Sequence, residues 1–177
     1  MDTLWGWSSS RSAANRTDEV QPPAGVNVAI DADRSAPVFM ATDFDIDASP
    51  ETVWDTLTDF DTWPTWQPGV KSIKTNSTFT PGARFKWSEG IGWIRGLIVT
   101  ADRPSRVAWK GFHGRIESTQ VWILEPVGPT RTHVHTEESW SGLLTRILTK
   151  TMQNTQAKQL DLWVPALTDE AQRRAPL

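Results

Sequence analysis

Between residues 38 and 47 apolar and polar side chains alternate: Val38, Met40, Phe44 and Ile46 share one parity, with Thr42 the exception. A period of two marks a half-buried strand. The period then changes. Ser49 is a good N-cap, because its hydroxyl can accept an orphan backbone N–H. Pro50 falls at the first helical position, where its fixed φ fits and its missing N–H costs nothing. Glu51 sits in the first turn, where the helix dipole favours an acid. Val53, Trp54, Leu57 and Phe60 follow as one apolar stripe. Pro64 and Pro68 stop a regular helix soon after. Trp63 and Trp66 are left on this irregular exit, where two large aromatics could close one end of an apolar space.

A series of half-buried strands is predicted next, over 70–76, 83–89, 93–101, 106–112, 118–125 and 131–139. Turn signals separate them at Pro81-Gly82, Gly90 to Gly92, Arg103-Pro104 and Pro126 to Pro129. Short connections imply antiparallel neighbours. From Gly142 to Arg174 the period becomes helical. Leu144, Ile147, Leu148, Met152, Leu162, Trp163 and Ala166 lie within a broad apolar face, with Thr151, Thr155 and Gln159 between them. A helix apolar at both ends and polar in its middle implies that the middle faces something wet. Pro165 is predicted to kink it. The layout is α+β: a curved antiparallel sheet of about six to seven strands on a long C-terminal helix, with short helices after the first strand.

Upstream, Val26, Val28 and Ile30 alternate and allow a short extra strand. Residues 1–24 are rich in Ser, Arg, Asn, Asp and Pro without periodicity and read as a flexible tail. Residues 25–177 read as one domain.

Composition narrows the function classes. The net charge is −3 and no basic field points to nucleic acid. There are no cysteines, which excludes disulfides and thiolate chemistry. No run approaches the roughly 18 apolar residues that a membrane helix needs. With no signal-peptide pattern, a cytoplasmic protein is expected, as monomer or homodimer. The unusual number is 11 Trp against no Tyr and 6 Phe. Trp favours edges and cavity walls, because its N–H needs a partner when buried. The count fits either a Trp-heavy core or a roomy aromatic cavity.

Several pieces resemble one known superfamily. They are Ser35-Ala36-Pro37-Val38, Pro50-Glu51-Thr52-Val53-Trp54 and the run Asp59 to Pro68. Later come Gly82 to Trp87, Val107-Ala108-Trp109, Val121 to Pro126 and Thr136 to Leu144. In order and spacing the chain is similar to the START-like, helix-grip (SRPBCC) superfamily, and within it to the polyketide cyclase/dehydrase proteins. The resemblance implies a sheet gripping the C-terminal helix and a hydrophobic small molecule bound between them. It implies no single activity, because the superfamily mixes carriers, sensors and cyclases. Similar proteins often carry His before the Val-Trp pair near residue 120; here Gln120 stands there.

Parity then selects candidates. Gln120, Trp122 and Leu124 share a face, as do Val134, Thr136, Glu138 and Trp140. Glu138 would be a carboxylate in an apolar cavity, able to act as a general acid or base or to pair with a cation. His113 shares parity with Val107 and Trp109 and could reach the cavity mouth. Glu138 and His113 are therefore the catalytic candidates. Trp63, Trp66, Phe85, Trp87, Trp109, Gln120, Trp122, Trp140 and Thr155 are the ligand-binding candidates. His133 and His135 with Glu137 form an alternate row, but the cupin ligand spacing is absent and their parity is opposite to Val134, so no metal is expected. Gly90, Gly92 and Gly96 do not make a dinucleotide fingerprint, and no cofactor is expected. Two readings remain: a cofactor-free cyclase or dehydratase acting on a ring-containing or polyketide-like molecule, and a non-enzymatic carrier or sensor. A metal-dependent, cupin-like enzyme is a third and weaker alternative.

The tail reading has a direct test. A truncation starting at Gly25 should melt within a few degrees of the full chain; a large fall would mean that Trp5 and Trp7 dock on the domain.

Overall fold

The computed structural model describes residues 26–176, apart from Asn76 and Ile91. The expected tail lies outside the described residues.

Strand β1 (Val38–Ile46) leads to helix α1 (Pro50–Thr58). Ser49 Oγ accepts the backbone N–H of Thr52 at 3.3 Å, and Pro50 occupies the first turn, as the capping pattern predicts. A 3-10 turn (Phe60–Thr62) and the single-turn helix α2 (Trp63–Trp66) follow. Six strands come next: β2 (Ser72–Thr75), β3 (Arg84–Glu89), β4 (Gly92–Asp102), β5 (Arg106–His113), β6 (Ile116–Gly128) and β7 (Arg131–Ser141). They form one antiparallel sheet with β1, in the order β1-β7-β6-β5-β4-β3-β2. Thus β1 and β2 lie on opposite edges, and α1 and α2 carry the chain across one end. This is the helix-grip fold that the resemblance implies.

Strand β6 runs three residues past its expected end. Pro126 has no N–H for the ladder, and a register shift between Pro126 and Gly128 absorbs it.

The C-terminal helix is two elements, α3 (Leu143–Ile147) and α4 (Thr149–Arg174), separated at Leu148 with φ −112° and ψ 32°. The break resets the helical phase. Leu144, Ile147, Leu148 and Leu162 consequently do not share the buried face: they are 44%, 66%, 44% and 42% exposed. The inward row of α4 is Gln156, Trp163, Leu167 and Ala171, spaced for a 3.6 period. Pro165 lies inside α4, which continues through it.

Arg174 ties the far end of α4 to the α1–α2 corner. Its guanidinium donates to Asp59 Oδ2 at 3.0 Å and Thr62 Oγ1 at 2.8 Å, while its Nε donates to Glu170 Oε1 at 2.7 Å. Leu57, Phe60, Trp63, Phe85 and Leu167 fill the core beneath this corner.

Residues 26–37 cross the outer face of the sheet. The expected extra strand does not form; the segment meets β4 beside its register shift between Ile98 and Thr100. One backbone bond, Val28 N–H to Val99 O at 3.4 Å, is made there. Side chains hold the rest. Asn27 Oδ1 accepts from Ala101 N at 3.0 Å, Arg106 pairs with Asp31 at 2.6 Å, and Arg34 pairs with Glu137. Ala32 packs on Ala108 and Val121.

Gly96 lets the inner layer close. A Cβ there would stand 2.4 Å from the Phe85 ring, which lies against the bare backbone. Gly96→Ala is expected to lower stability by about 1–3 kcal/mol through overpacking, a fall of several degrees in Tm. Thermal melts of this one variant check it.

Candidate functional site

The sheet's register carries inward residues in rows. Trp109 pairs with Gln120 and Gln120 with Glu138, so three strands place these side chains side by side. Trp140 and Gly111 flank Ser118 in the next row. Between these rows and α4 lies a cavity of about 330 Å³. That volume suits a small organic ligand.

Most of the expected wall residues meet there. Trp63, Trp87, Trp109, Gln120, Trp122, Glu138, Trp140 and Thr155 line the space, and half-buried His113 lines it near partly exposed Leu144. Two do not. Trp66 lies on the outer side of α4, edge-on to Trp163 at 5.7 Å, with its Nε1 donating to Thr62 Oγ1. It borders a separate groove with Pro68 and Pro165, because the single turn of α2 points Trp63 inward and Trp66 away. Phe85 is the layer beneath the wall: it stacks on Trp87 at 5.2 Å with 19° between the rings and packs on Phe60.

Sequence reasoning missed Glu89, Ile94, Ile116, Met152, Gln159, Leu160 and Trp163 as wall residues. The signal was present for two of them. Glu89 continues the parity of Phe85 and Trp87, and Trp163 follows Gln159 by one helical turn. Trp163 stands edge-on to Trp63 at 4.9 Å and faces Trp122 at 6.1 Å.

Two carboxylates enter this aromatic space. Burial pushes the pKa of Glu138 up from its ordinary 4.5 to about 7. The nearby Trp140 indole and the Gln156 amide oppose the rise, and the charge of Glu89 adds to it. The opposition is weak. Gln156 Nε2 reaches Glu138 Oε2 only at 3.4 Å, and Trp140 Nε1 meets no acceptor within hydrogen-bond geometry. What surface Glu138 keeps open faces the cavity. Glu89 is better solvated by protein: Oε1 accepts from Trp87 Nε1 at 2.9 Å and Oε2 from Gln159 Nε2 at 2.6 Å. Burial nevertheless raises its pKa.

Gln120 does not reach Glu138. Its Nε2 donates to Thr136 Oγ1 at 2.7 Å, and Thr136 passes a bond on to Val121 O. Among the described residues no cation forms an ion pair with the Glu138 carboxylate. His113 Nδ1 stands 3.2 Å from Trp93 O.

His133 and His135 lie on the other face. His133 Nδ1 meets Asp45 Oδ1 at 2.8 Å, and His135 Nδ1 meets Asp43 Oδ1 at 2.7 Å. The hydrogen bond to Asp45 raises the pKa of His133. Burial pulls that of His135 down, yet Asp43 and Glu137 together hold it above its usual value. Among the described residues no group of three or more acidic or histidine side chains is arranged to hold a metal ion.

This cavity, walled by a sheet and a C-terminal helix, places the chain among known proteins. Residues 38–167 match the family described as polyketide cyclase/dehydrase and lipid transport. The chain belongs to that family. Solved structures share the fold at low identity. A hypothetical protein from Helicobacter pylori has a TM-score of 0.69 at 17% identity, covering 93% of this chain and 99% of its own. A START superfamily protein from Mycobacterium smegmatis has 0.56 at 17%, covering 73% and 99%. The Zhui aromatase/cyclase from Streptomyces sp. R1128 has 0.66 at 13%, covering 77% and 94%. A comparison with curated proteins finds no match. Among the described residues no helix is long and apolar enough to cross a membrane.

The buried carboxyl predicts a pH dependence. Glu138 holds its proton more tightly folded than unfolded, so between about pH 4.5 and 7 the folded state binds more protons. Its contribution favours folding at low pH and is lost as pH rises through that window. Glu138→Gln should therefore gain stability relative to the wild type from pH 4.5 to 8, by up to about 3 kcal/mol. Denaturant titrations of both proteins at several pH values check the sign; a flat difference would show that Glu138 titrates normally.

Proposed function

We propose that this family member binds a ring-containing hydrophobic small molecule inside the cavity, with Glu138 as the group that holds or moves a proton on it. The observation that carries the reading is one carboxyl with a pKa of about 7 in a space walled by six indoles. Flat aromatic walls favour flat rings, which stack or pack edge-to-face at little entropic cost. The family description spans polyketide chemistry and lipid transport, and a hydrophobic ligand is common to both.

The arrangement supports a cofactor-free cyclase or dehydratase. A group half-protonated near neutral pH can both take a proton from carbon beside a carbonyl and return one to a departing hydroxyl. The walls would hold a reactive chain folded, which lowers the entropic part of the barrier. His113 at the cavity edge is a second proton carrier within the same space. The carrier or sensor reading needs only the walls, and it is favoured if Glu138 makes no difference to any conversion.

Titrating a panel of aromatic and polyketide-like compounds against intrinsic Trp fluorescence should give saturable quenching. Glu138→Gln should keep the fold while affinity or turnover for the active compound falls at least tenfold, about 1.4 kcal/mol. A panel without any saturable change would sink the cavity reading.

A further inference from the structure

Glu138 enters the cavity short of donors. Glu138 receives one long bond, from Gln156 at 3.4 Å, and that leaves most of its lone pairs free. Gln156 is 1% exposed; its Nε2 also donates to Glu138 O at 3.0 Å, and its Oε1 has no partner at all. Gln156 lies behind Glu138 and outside the cavity lining, so Glu138 is the acceptor that the space presents. Glu89, fully bonded, adds a second negative charge to the same space. Among the described residues no Lys or Arg lines the space. The ionisable groups lining the space are Glu89 from β3, Glu138 from β7 and His113 from β5. Strand β4 presents Ile94, β6 presents Ser118, Gln120 and Trp122, α3 presents Leu144, and α4 presents uncharged Thr155 and Gln159. Buried carboxylates are normally paired, because an unpaired one costs several kcal/mol. The walls around this pair are indole faces, which attract cations more strongly than other aromatic rings.

Resting on the cavity reading above, we infer that the ligand carries a protonated amine on its ring system, and that Glu138 receives its N–H groups. The ligand brings the counterion that the fold leaves out. An ammonium group offers several donors at once, enough for both oxygens of the Glu138 carboxylate. A neutral ligand of the same shape would fill the walls and leave Glu138 either charged and unpaired or protonated. The amine therefore binds best where Glu138 is ionised, and its affinity should fall as pH drops through the neutral range.

The probes are naphthylethylamine and naphthylethanol, which share a ring and differ in charge. Calorimetric titration at pH 8 should show the amine binding at least about tenfold tighter than the alcohol. Lowering the pH to 6 should weaken the amine by about tenfold and leave the alcohol unchanged. Glu138→Gln should bring the two probes within a few-fold of each other while melting no lower than the wild type. The wild-type comparison stands whether or not the variant folds. If the alcohol binds as tightly as the amine, the inference falls while the cavity reading survives. If the preference persists in full in a folded Glu138→Gln variant, Glu138 is not the receptor and the inference falls. If neither probe binds, the inference falls together with the cavity reading.

Discussion

A strand points its side chains alternately to two faces, and in this sheet one face has to form both a core and a cavity. The register enforces the division. Trp109, Gln120 and Glu138 share a row, while the residues between them face the strap at 26–37. Shifting β7 by a single residue would send Glu138 outward and bring Glu137 or Ser139 inward. Charge reinforces the register from outside. Asp43 and Asp45 on β1 meet His135 and His133 on β7, and Arg34 reaches Glu137 from the strap. Exposed pairs of this kind are individually weak. Their value lies in marking one face as wet, so that the tryptophans occupy the other.

The closed end and the open end of the cavity differ in what holds them. At the α1–α2 corner, Trp63 is fully buried and its Nε1 donates to Leu57 O at 3.1 Å. The same corner is clamped by Arg174 through Asp59 and Thr62. At the other end α3 is only five residues long, and Leu143, Leu144, Ile147 and Leu148 stay exposed. Few contacts restrain that end, so it is the natural side for a ligand to enter. Glu138 sits between them on β7, where burial holds its carboxyl above its ordinary pKa.

Two tryptophans in the wall, Trp122 and Trp140, keep buried N–H groups without partners, as does Trp54 away from the cavity. Unmatched polar groups are uncommon in protein interiors and concentrate where a ligand or water completes them. Trp63 and Trp87 in the same wall are satisfied. The unsatisfied indoles lie on β6 and β7, the strands that also carry Gln120 and Glu138.

The strand periods, the Ser49-Pro50 cap and the turn signals determined the order of elements and the approximate bounds of the strands, because each is a local property of the backbone. Parity also placed Trp87, Trp109, Trp122, Glu138 and Trp140 on one face, since a strand's alternation is set by its own sequence. What the chain could not encode locally was the pairing across distance. Trp66 shares a short segment with Trp63 yet turns outward, because α2 is a single turn packed between the core and α4. Phe85 sinks beneath the wall because Gly96, on the neighbouring strand, leaves it room. The apolar face expected from 144 to 166 splits at Leu148, where the chain must bend to lay α4 along the sheet. Glu89 and Gln159, 70 residues apart, meet only when that helix is in place. The charge state of Glu138 is likewise a tertiary property: its own sequence neighbours do not desolvate it, and the closure of sheet on helix does.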